Sequence, residues 1–319
     1  MRLPEIVAHA DWSANPPGRQ IAIARRTGTR YAAAAPRPVG DLAGLAETLL
    51  AEAGPGGTAL LGVDFPIGLP AAYAARARIA DFRTALTGFG HGRWRDFYTP
   101  AEQPAEISLT RPFFPARNGA KGAFTRGQLA AALKVAGFDA LHRRCDRGHP
   151  DRAAAAALFW TLGGNQVGKA AISGWRDLIA PALRARNLPV RLWPFDGGLA
   201  ALLATPGLVI AETYPGEIYG HLGLAIAGRR RSKRRQADRA ADAPLLAAAA
   251  QRLGIDLADG FAATLAAGFG GDARGEDRFD AAIGLVGMVN ILRGHRAPGD
   301  PQDRERRSVE GWILGQAEP

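Results

Sequence analysis

The sequence is short of cysteine, of lysine and of long apolar runs. Cys145 is the single cysteine among 319 residues, so no disulfide can form within the chain and a disulfide-stapled fold is excluded. No apolar stretch reaches the roughly 20 residues that a membrane-spanning helix needs. The first residues, MRLPEIVAHADWS, also lack the apolar segment of a signal peptide. These absences predict a soluble, cytoplasmic protein with no membrane partner.

Lysine supplies only four of the 40 basic residues, and arginine supplies the rest. The formal net charge of +10 points to a polyanionic partner, although arginine-rich usage also follows from a GC-rich genome. The distribution is more informative than the total. Residues 229–239, RRRSKRRQADR, hold seven basic side chains and one acidic side chain, so more than half of the excess lies in one stretch. The sequence therefore predicts a localised basic loop.

The residue pattern predicts an order of strands and helices. Strand signals at 5–11, 19–26 and about 29–35 are separated by turns that contain proline or glycine, which indicates an antiparallel meander. A helix is then predicted from leucines at helical spacing in VGDLAGLAETLLAEAG. Buried strands are predicted in GTALLGVDFPIGLP and in GLVIAETYPG, and a last helix in GEDRFDAAIGLVGMVNILRG.

Residues 66–205 differ in character, because aromatic and proline-rich loops alternate there with alanine-rich helical stretches. We therefore expect one α/β domain over 1–319, with a core formed by 1–65 and 206–319 and a mostly helical insertion at 66–205. The aromatic residues of this segment suit base stacking in a nucleic-acid site, but packing in the core of the insertion is the favoured interpretation. They are Trp94, Phe97, Tyr98, Phe113 and Phe114.

Three predicted strands end in an acidic residue: Asp11, Asp64 and Glu212. The last helix adds Asp277 and Asp280, which lie three residues apart and share a face near its N-terminus. Each acid alone has an ordinary explanation as a turn residue or as a helix N-terminal acid. Strand ends of an α/β sheet gather at one edge, however, and grouped carboxylates repel one another unless a cation neutralises them. Hard oxygen ligands of this kind suit Mg²⁺ or Mn²⁺.

The segments AHADWS, LLGVDFPIGLP, IAETYP and EDRFDAAIGL resemble those of the RNase H-like superfamily. They are most similar to its RuvC-like side and to a family of predicted nucleases catalogued as a domain of unknown function. RRCDR, LGGNQVGKAAISGW and EGWILGQ extend the resemblance over nearly the whole chain. It implies an RNase H-like mixed sheet, with a three-stranded antiparallel meander plus parallel strands, flanked by helices. By this resemblance Asp11, Asp64 and Asp280 match the acidic motif positions, and Asp277 matches the first acid of a RuvC-like pair.

One position departs from the RuvC pattern, in which the fourth strand carries glutamate. Asp64 stands there, and Glu212 lies on the next strand. Glu212 therefore either completes a metal site or stabilises the ETYP turn, and the ligand role is favoured. The resemblance implies metal-assisted hydrolysis of phosphodiester bonds, in which two Mg²⁺ or Mn²⁺ ions bind the attacking water and the leaving oxygen. The implied catalytic residues are Asp11, Asp64, Glu212 and Asp280, and the implied metal ligands add Asp277.

Two other functions fit the same elements: a catalytically silent nucleic-acid-binding module and an actin-like or sugar-kinase-like ATPase. The ATPase is disfavoured because DWSANPPG lacks a glycine-rich phosphate hairpin. A basic loop that follows the Glu212 strand would lie where a polyanionic backbone approaches a metal site. The predicted nucleic-acid contacts are Arg229, Arg230, Arg231, Lys233, Arg234 and Arg235, with Lys169 and Arg144 from the insertion.

Two further motifs are weaker. GGNQVGKA nearly matches a phosphate-binding P-loop, but Ala170 stands where the Mg²⁺-binding Ser or Thr is required, and the preceding segment is helical in pattern. HRRCDRGH brings His142, Cys145 and His149 close together, but their spacing matches no strong zinc pattern. A basic surface turn is therefore predicted for residues 142–149.

Overall fold

A mixed β-sheet forms the centre of the molecule. The computed structural model describes residues 1–117, 124–149, 152–162, 167–228 and 231–317. The strands in this part of the chain are β1 (Ile6–Asp11), β2 (Gln20–Thr27), β3 (Arg30–Ala33), β4 (Arg37–Pro38), β5 (Thr58–Val63), β6 (Val190–Leu192), β7 (Gly207–Glu212) and β8 (Ile255–Leu257).

The strand order is β6-β7-β5-β1-β2-β3-β8, and β4 pairs with β2. Strands β1, β2 and β3 form the predicted antiparallel meander, whereas β1, β5, β7 and β6 run parallel to one another. The register places Ala10 opposite Val63, and Val63 opposite Glu212. The carboxyl ends of β1, β5 and β7 therefore meet at one edge of the sheet.

Helices cover both faces of the sheet. They are α1 (Leu45–Ala53), α2 (Ala71–Ala77), α3 (Phe82–Gly88), α4 (Arg126–Ala132), α5 (Val167–Gly174), α6 (Ala180–Arg184), α7 (Leu199–Ala204), α8 (Pro215–His221), α9 (Gln236–Arg252), α10 (Asp259–Ala266) and α11 (Gly275–Leu292). Two π-helical turns, Trp175–Ile179 and Arg306–Glu310, add to these. No helix in the described ranges combines the length and the apolar character needed to cross a bilayer.

Alternating residues of β1 divide the core between the two faces. Ile6, Ala8 and Ala10 belong to a cluster that includes α1 and most of segment 66–205. Val7 belongs to a second cluster, which includes α8, α9 and α11. Because side chains alternate along a strand, Asp11 projects to the same face as Val7, toward α11.

Helix α11 approaches β1 closely because glycine stands at the contact. A Cβ atom at Gly284 would lie 2.2 Å from the His9 ring, and one at Gly62 would lie 2.5 Å from the sulfur of Met288. His9 is fully buried and its Nε2 lies 2.8 Å from Thr213 Oγ1. Burial lowers the pKa of His9 to about 3, so the ring is neutral. This contact brings the first turns of α11 to the carboxyl end of β1.

Segment 66–205 contains short helices, as expected, but it also supplies a strand. Strand β6 pairs with β7 and forms one edge of the main sheet. The sequence pattern concealed this strand because it has only three residues. The five aromatic residues considered for base stacking are all buried, and one of them, Phe97, stacks on Phe89 and on Trp175, so they form core.

Candidate carboxylate site

Three elements bring three aspartates to one edge of the sheet. Asp11 is the last residue of β1, and Asp64 directly follows β5, where its backbone N–H donates to Ala10 O at 3.1 Å. Asp280 lies in the second turn of α11. The carboxyl groups of Asp11 and Asp64 are hydrogen-bonded to each other, and the charge of Asp280 acts on both. The three residues are far apart in sequence, and the sheet order explains why they meet.

The carboxyl groups of this cluster hold protons unusually tightly. Burial, and then the charges of Asp280 and Asp64, raise the pKa of Asp11 well above its usual range. Burial and Asp280 raise the pKa of Asp64 to about 7. The pKa of half-buried Asp277 rises to about 6 for the same two reasons. The cluster therefore carries more negative charge than its protein surroundings neutralise, as expected of a site for a cation.

Lys233 and Tyr219 bind the carboxylate of Asp280. Lys233 Nζ lies 2.5 Å from Asp280 Oδ2 and 3.0 Å from Glu276 Oε1. The Tyr219 hydroxyl donates to Asp280 Oδ1. Burial opposes the charge of Lys233, but Asp280 raises its pKa, so the side chain is an ammonium. Sequence reasoning missed Tyr219 and Glu276, and it assigned Lys233 to an outward-facing surface.

The turn after β1 is fixed by packing around Trp12. The Trp12 ring lies against Phe65, with centroids 5.0 Å apart, and its Nε1 donates to Ser173 Oγ at 3.0 Å. Buried Arg19 lies over the same ring at 5.0 Å and donates from Nε to Ser13 O at 2.8 Å. Asp277 faces this turn across Gly18. A Cβ atom added at Gly18 would lie 3.4 Å from Asp277 Oδ2. The turn therefore places Asp11 beside the start of α11.

Glu212 raises the pKa of Asp64 through its charge, but its own carboxylate is bound by an arginine, and its expected role as a catalytic residue and metal ligand stays a prediction. Both of its carboxylate oxygens accept from Arg143, with Nη1–Oε2 and Nη2–Oε1 distances of 2.6 Å. The backbone N–H of Ile67 donates to Oε2 at 2.7 Å. Arg143 is fully buried and also binds Asp146. A metal at Glu212 would have to displace this buried ion pair.

The expected surface turn at 142–149 is wrong at its centre, because Arg143, Cys145 and Asp146 are buried. Within the described ranges, Cys145, Asp146 and Glu212 form the one group of three potential metal ligands whose atoms all lie within 4.8 Å of one another. The aspartate cluster is more widely spaced. The guanidinium of Arg143 already occupies both acids, and burial raises the pKa of the Cys145 thiol well above its usual range. We interpret the group as an ion-pair cluster.

Most of the described basic loop is engaged within the protein. Arg231 pairs with buried Asp242, Arg235 pairs with Asp238 at 2.7 Å, and Lys233 projects into the carboxylate cluster. Arg234 is exposed and makes no ion pair with the part of the chain that the structure describes. Arg229 and Arg230 lie outside the described residues.

Arg144 and Lys169 are the two residues of the insertion that were predicted to contact nucleic acid. Arg144 is paired with Glu305 at 2.7 Å, Asp303 at 3.4 Å and Glu310 at 3.5 Å, and its contact with nucleic acid stays a prediction. Lys169 lies on α5 one turn before Ser173, so it shares the helix face that contacts Trp12. Residues 163–166 of the P-loop-like motif lie outside the described residues.

Comparison of the chain with protein-family models, with curated proteins and with solved structures finds no significant match. The functional interpretation therefore depends on the geometry of the carboxylate site and on the resemblance of its sequence motifs.

Proposed function

We propose that this protein is a divalent-metal-dependent hydrolase of phosphodiester bonds that acts on nucleic acid. One observation carries the proposal: Asp11, Asp64 and Asp280 come from β1, β5 and α11 to a single edge, where their mutual repulsion and burial hold protons on the cluster. Carboxylates that repel in this way gain the most from a bound cation, because it removes both the repulsion and the need for the protons.

The strand order adds support for an RNase H-like core. In the path β3-β2-β1-β5-β7, the first three strands are antiparallel and the last three are parallel, with Asp11 at the end of the central strand. This is the arrangement that the motif resemblance implies. The outer strands β6 and β8 and the segment between β5 and β6 would then be additions to that core.

The donor set fits Mg²⁺ or Mn²⁺. Asp11 and Asp64 would hold the ion, Asp280 would add its charge from the α11 side, and Asp277 lies beside them at the mouth of the cluster. A bound ion of this kind makes water a stronger nucleophile and stabilises charge on phosphate oxygens. The chain's own residues would orient the ligands: Tyr219 fixes one oxygen of Asp280, and the Trp12 turn fixes the approach to Asp11.

Thermal melting with and without Mn²⁺ tests the proposal without assuming a substrate. The wild type should be stabilised by Mn²⁺, whereas Asp64→Asn should lose most of that stabilisation. Asp259→Asn is the matched control, because Asp259 is an exposed acid at the start of α10. Mn²⁺-dependent cleavage of bis(4-nitrophenyl) phosphate should follow the same ranking. Equal Mn²⁺ stabilisation of the wild type and Asp64→Asn would contradict a metal site at this edge.

A catalytically silent nucleic-acid-binding module is the second candidate. It is favoured by two observations: Lys233 already neutralises part of the cluster, and Glu212 is used by Arg143. A silent module should bind oligonucleotides equally well in EDTA and in Mn²⁺, and it should show no Mn²⁺-induced change in melting temperature. The proposed hydrolase should show that change.

A further inference from the structure

The ammonium of Lys233 is held in the carboxylate cluster by the fold around it. Its backbone carbonyl accepts from Arg239, which is buried and also donates to Gly268 O and Gly270 O. Next to it, the Ser232 N–H donates to Asp238 Oδ2 at 2.8 Å. Arg231, two residues before Lys233, pairs with buried Asp242. These contacts fix Lys233 and the two residues before it, so its inward direction is built into the loop.

Among the described residues, the bound positive charge lies at one end of the cluster. Lys233 binds Asp280 and Glu276, both of which come from α11. Asp11 and Asp64 come from the strands and are bonded to each other instead, and Lys233 affects them only through its charge. The α11 end is therefore partly neutralised, whereas no described cation binds the two carboxyl groups at the strand end.

We propose that Lys233 is a resident cation that takes the place of one of the two metal ions, so that the site binds a single divalent ion at Asp11 and Asp64. This inference rests on the proposed function, and it differs from the two-ion arrangement that the motif resemblance implies. Two positive charges at the α11 end would compete for the same oxygen of Asp280, because Lys233 Nζ already lies 2.5 Å from Oδ2.

The same lysine is placed to contact the substrate. An ammonium has three N–H donors, and the contacts to Asp280 and Glu276 use two of them. The side chain remains 37% exposed, so the third donor can reach a phosphate oxygen of a bound nucleic acid. Lys233 would then act as a positioning residue for the phosphate, in addition to neutralising Asp280.

Counting bound Mn²⁺ tests this inference, by isothermal titration calorimetry and by electron paramagnetic resonance of the free ion. The wild type should bind one Mn²⁺ per chain. Lys233→Met removes the charge but keeps most of the volume, and it should bind either a second Mn²⁺ or the first at least about tenfold more tightly, because a positive charge no longer repels the ion. Arg234→Met is the matched control, since it removes one exposed charge from the adjacent position and should keep one site of unchanged affinity.

The outcomes separate this inference from the proposed function. Two Mn²⁺ per wild-type chain, both lost in Asp11→Asn, would overturn the resident-cation role and leave the metal-dependent hydrolase standing. Weaker Mn²⁺ binding by Lys233→Met would overturn it as well, because the lysine would then be supporting the ligands. Absence of Mn²⁺ binding in the wild type would overturn both proposals.

Discussion

Replacement of Asp11 by asparagine should stabilise the metal-free protein and abolish its response to Mn²⁺. The change removes one ionisable carboxyl group from the cluster and keeps the shape of the side chain. The asparagine amide can still donate a hydrogen bond to Asp64, which the protonated Asp11 carboxyl group supplies in the wild type. Loss of the carboxylate, in contrast, removes a ligand that a divalent ion requires.

The size and pH dependence of the effect follow from the raised pKa values. Folding raises the pKa of Asp64 from 3.8 to about 7, so the protonated carboxyl is favoured in the folded state. This contribution to stability is complete below pH 4 and is lost as pH rises to about 7. A rise of that size corresponds to about 4 kcal/mol at high pH, as an upper limit shared by the whole coupled cluster. We expect Asp11→Asn to recover about half of it, roughly 2 kcal/mol or about 3 °C in melting temperature.

Melting curves of the metal-free wild type and Asp11→Asn between pH 5 and pH 8.5 measure this prediction. The variant should melt above the wild type at pH 8.5, and the difference should shrink toward pH 5, because the contribution is fully restored only below pH 4. Asp259→Asn should show no such growth with pH. A variant that melts clearly lower at pH 8.5 and keeps the full Mn²⁺ response would show that Asp11 is a structural turn residue, and the electrostatic reasoning would be refuted.

Three further predictions concern the neighbouring residues. Mn²⁺ stabilisation of the wild type should increase from pH 6 to pH 8, because the ion must displace the protons that the raised pKa values of Asp64 and Asp277 retain, and a response independent of pH would contradict this. Glu212→Gln should lower the free energy of unfolding by about 3 kcal/mol in urea titration, because it leaves a buried cation with one partner fewer, yet it should keep the Mn²⁺ response; loss of that response in a folded variant would identify Glu212 as a ligand. Arg234→Ser should reduce the slope of log affinity against log salt by about 0.7 to 0.9 if it contacts one phosphate, whereas Arg231→Ser should instead lower the melting temperature, because buried Asp242 loses its partner.

The sequence was sufficient to predict where the aspartates lie. Strand ends are marked locally: apolar runs of β1 and β5 stop at an acid, and the direction of each strand follows from the turns and helices that connect them. Asp280 was expected near them from the motif resemblance, which matches it to the acid of the last helix. The structure gives the reason for the small residues of α11, since Gly284 lies against His9 and leaves no room for a side chain.

The partners of the acids could not be predicted, because they depend on contacts between distant segments. Nothing near Glu212 in sequence indicates that Arg143, 69 residues away, donates two hydrogen bonds to it. The run of cations around Lys233 resembled a solvated surface, and the inward direction of one member depends on Asp280, 47 residues later. Charge patterns therefore identified the polar positions but not which of them neutralise one another.

The burial of Arg143 explains why Glu212, one of the three strand-end acids, is held in an ion pair. A fully buried guanidinium must be compensated, and Asp146 and Glu212 supply two carboxylates to it within 3.0 Å. The Arg143 backbone lies in the segment between β5 and β6, and Arg143 Nη1 also contacts the carbonyl of Glu310 near the C-terminus at 3.3 Å. Glu212 thus connects β7 to two distant segments. In the part of the chain that the structure describes, no arginine is bound to Asp11 or Asp64 in this way, so any cation drawn to this edge should bind at the ends of β1 and β5 rather than at the end of β7.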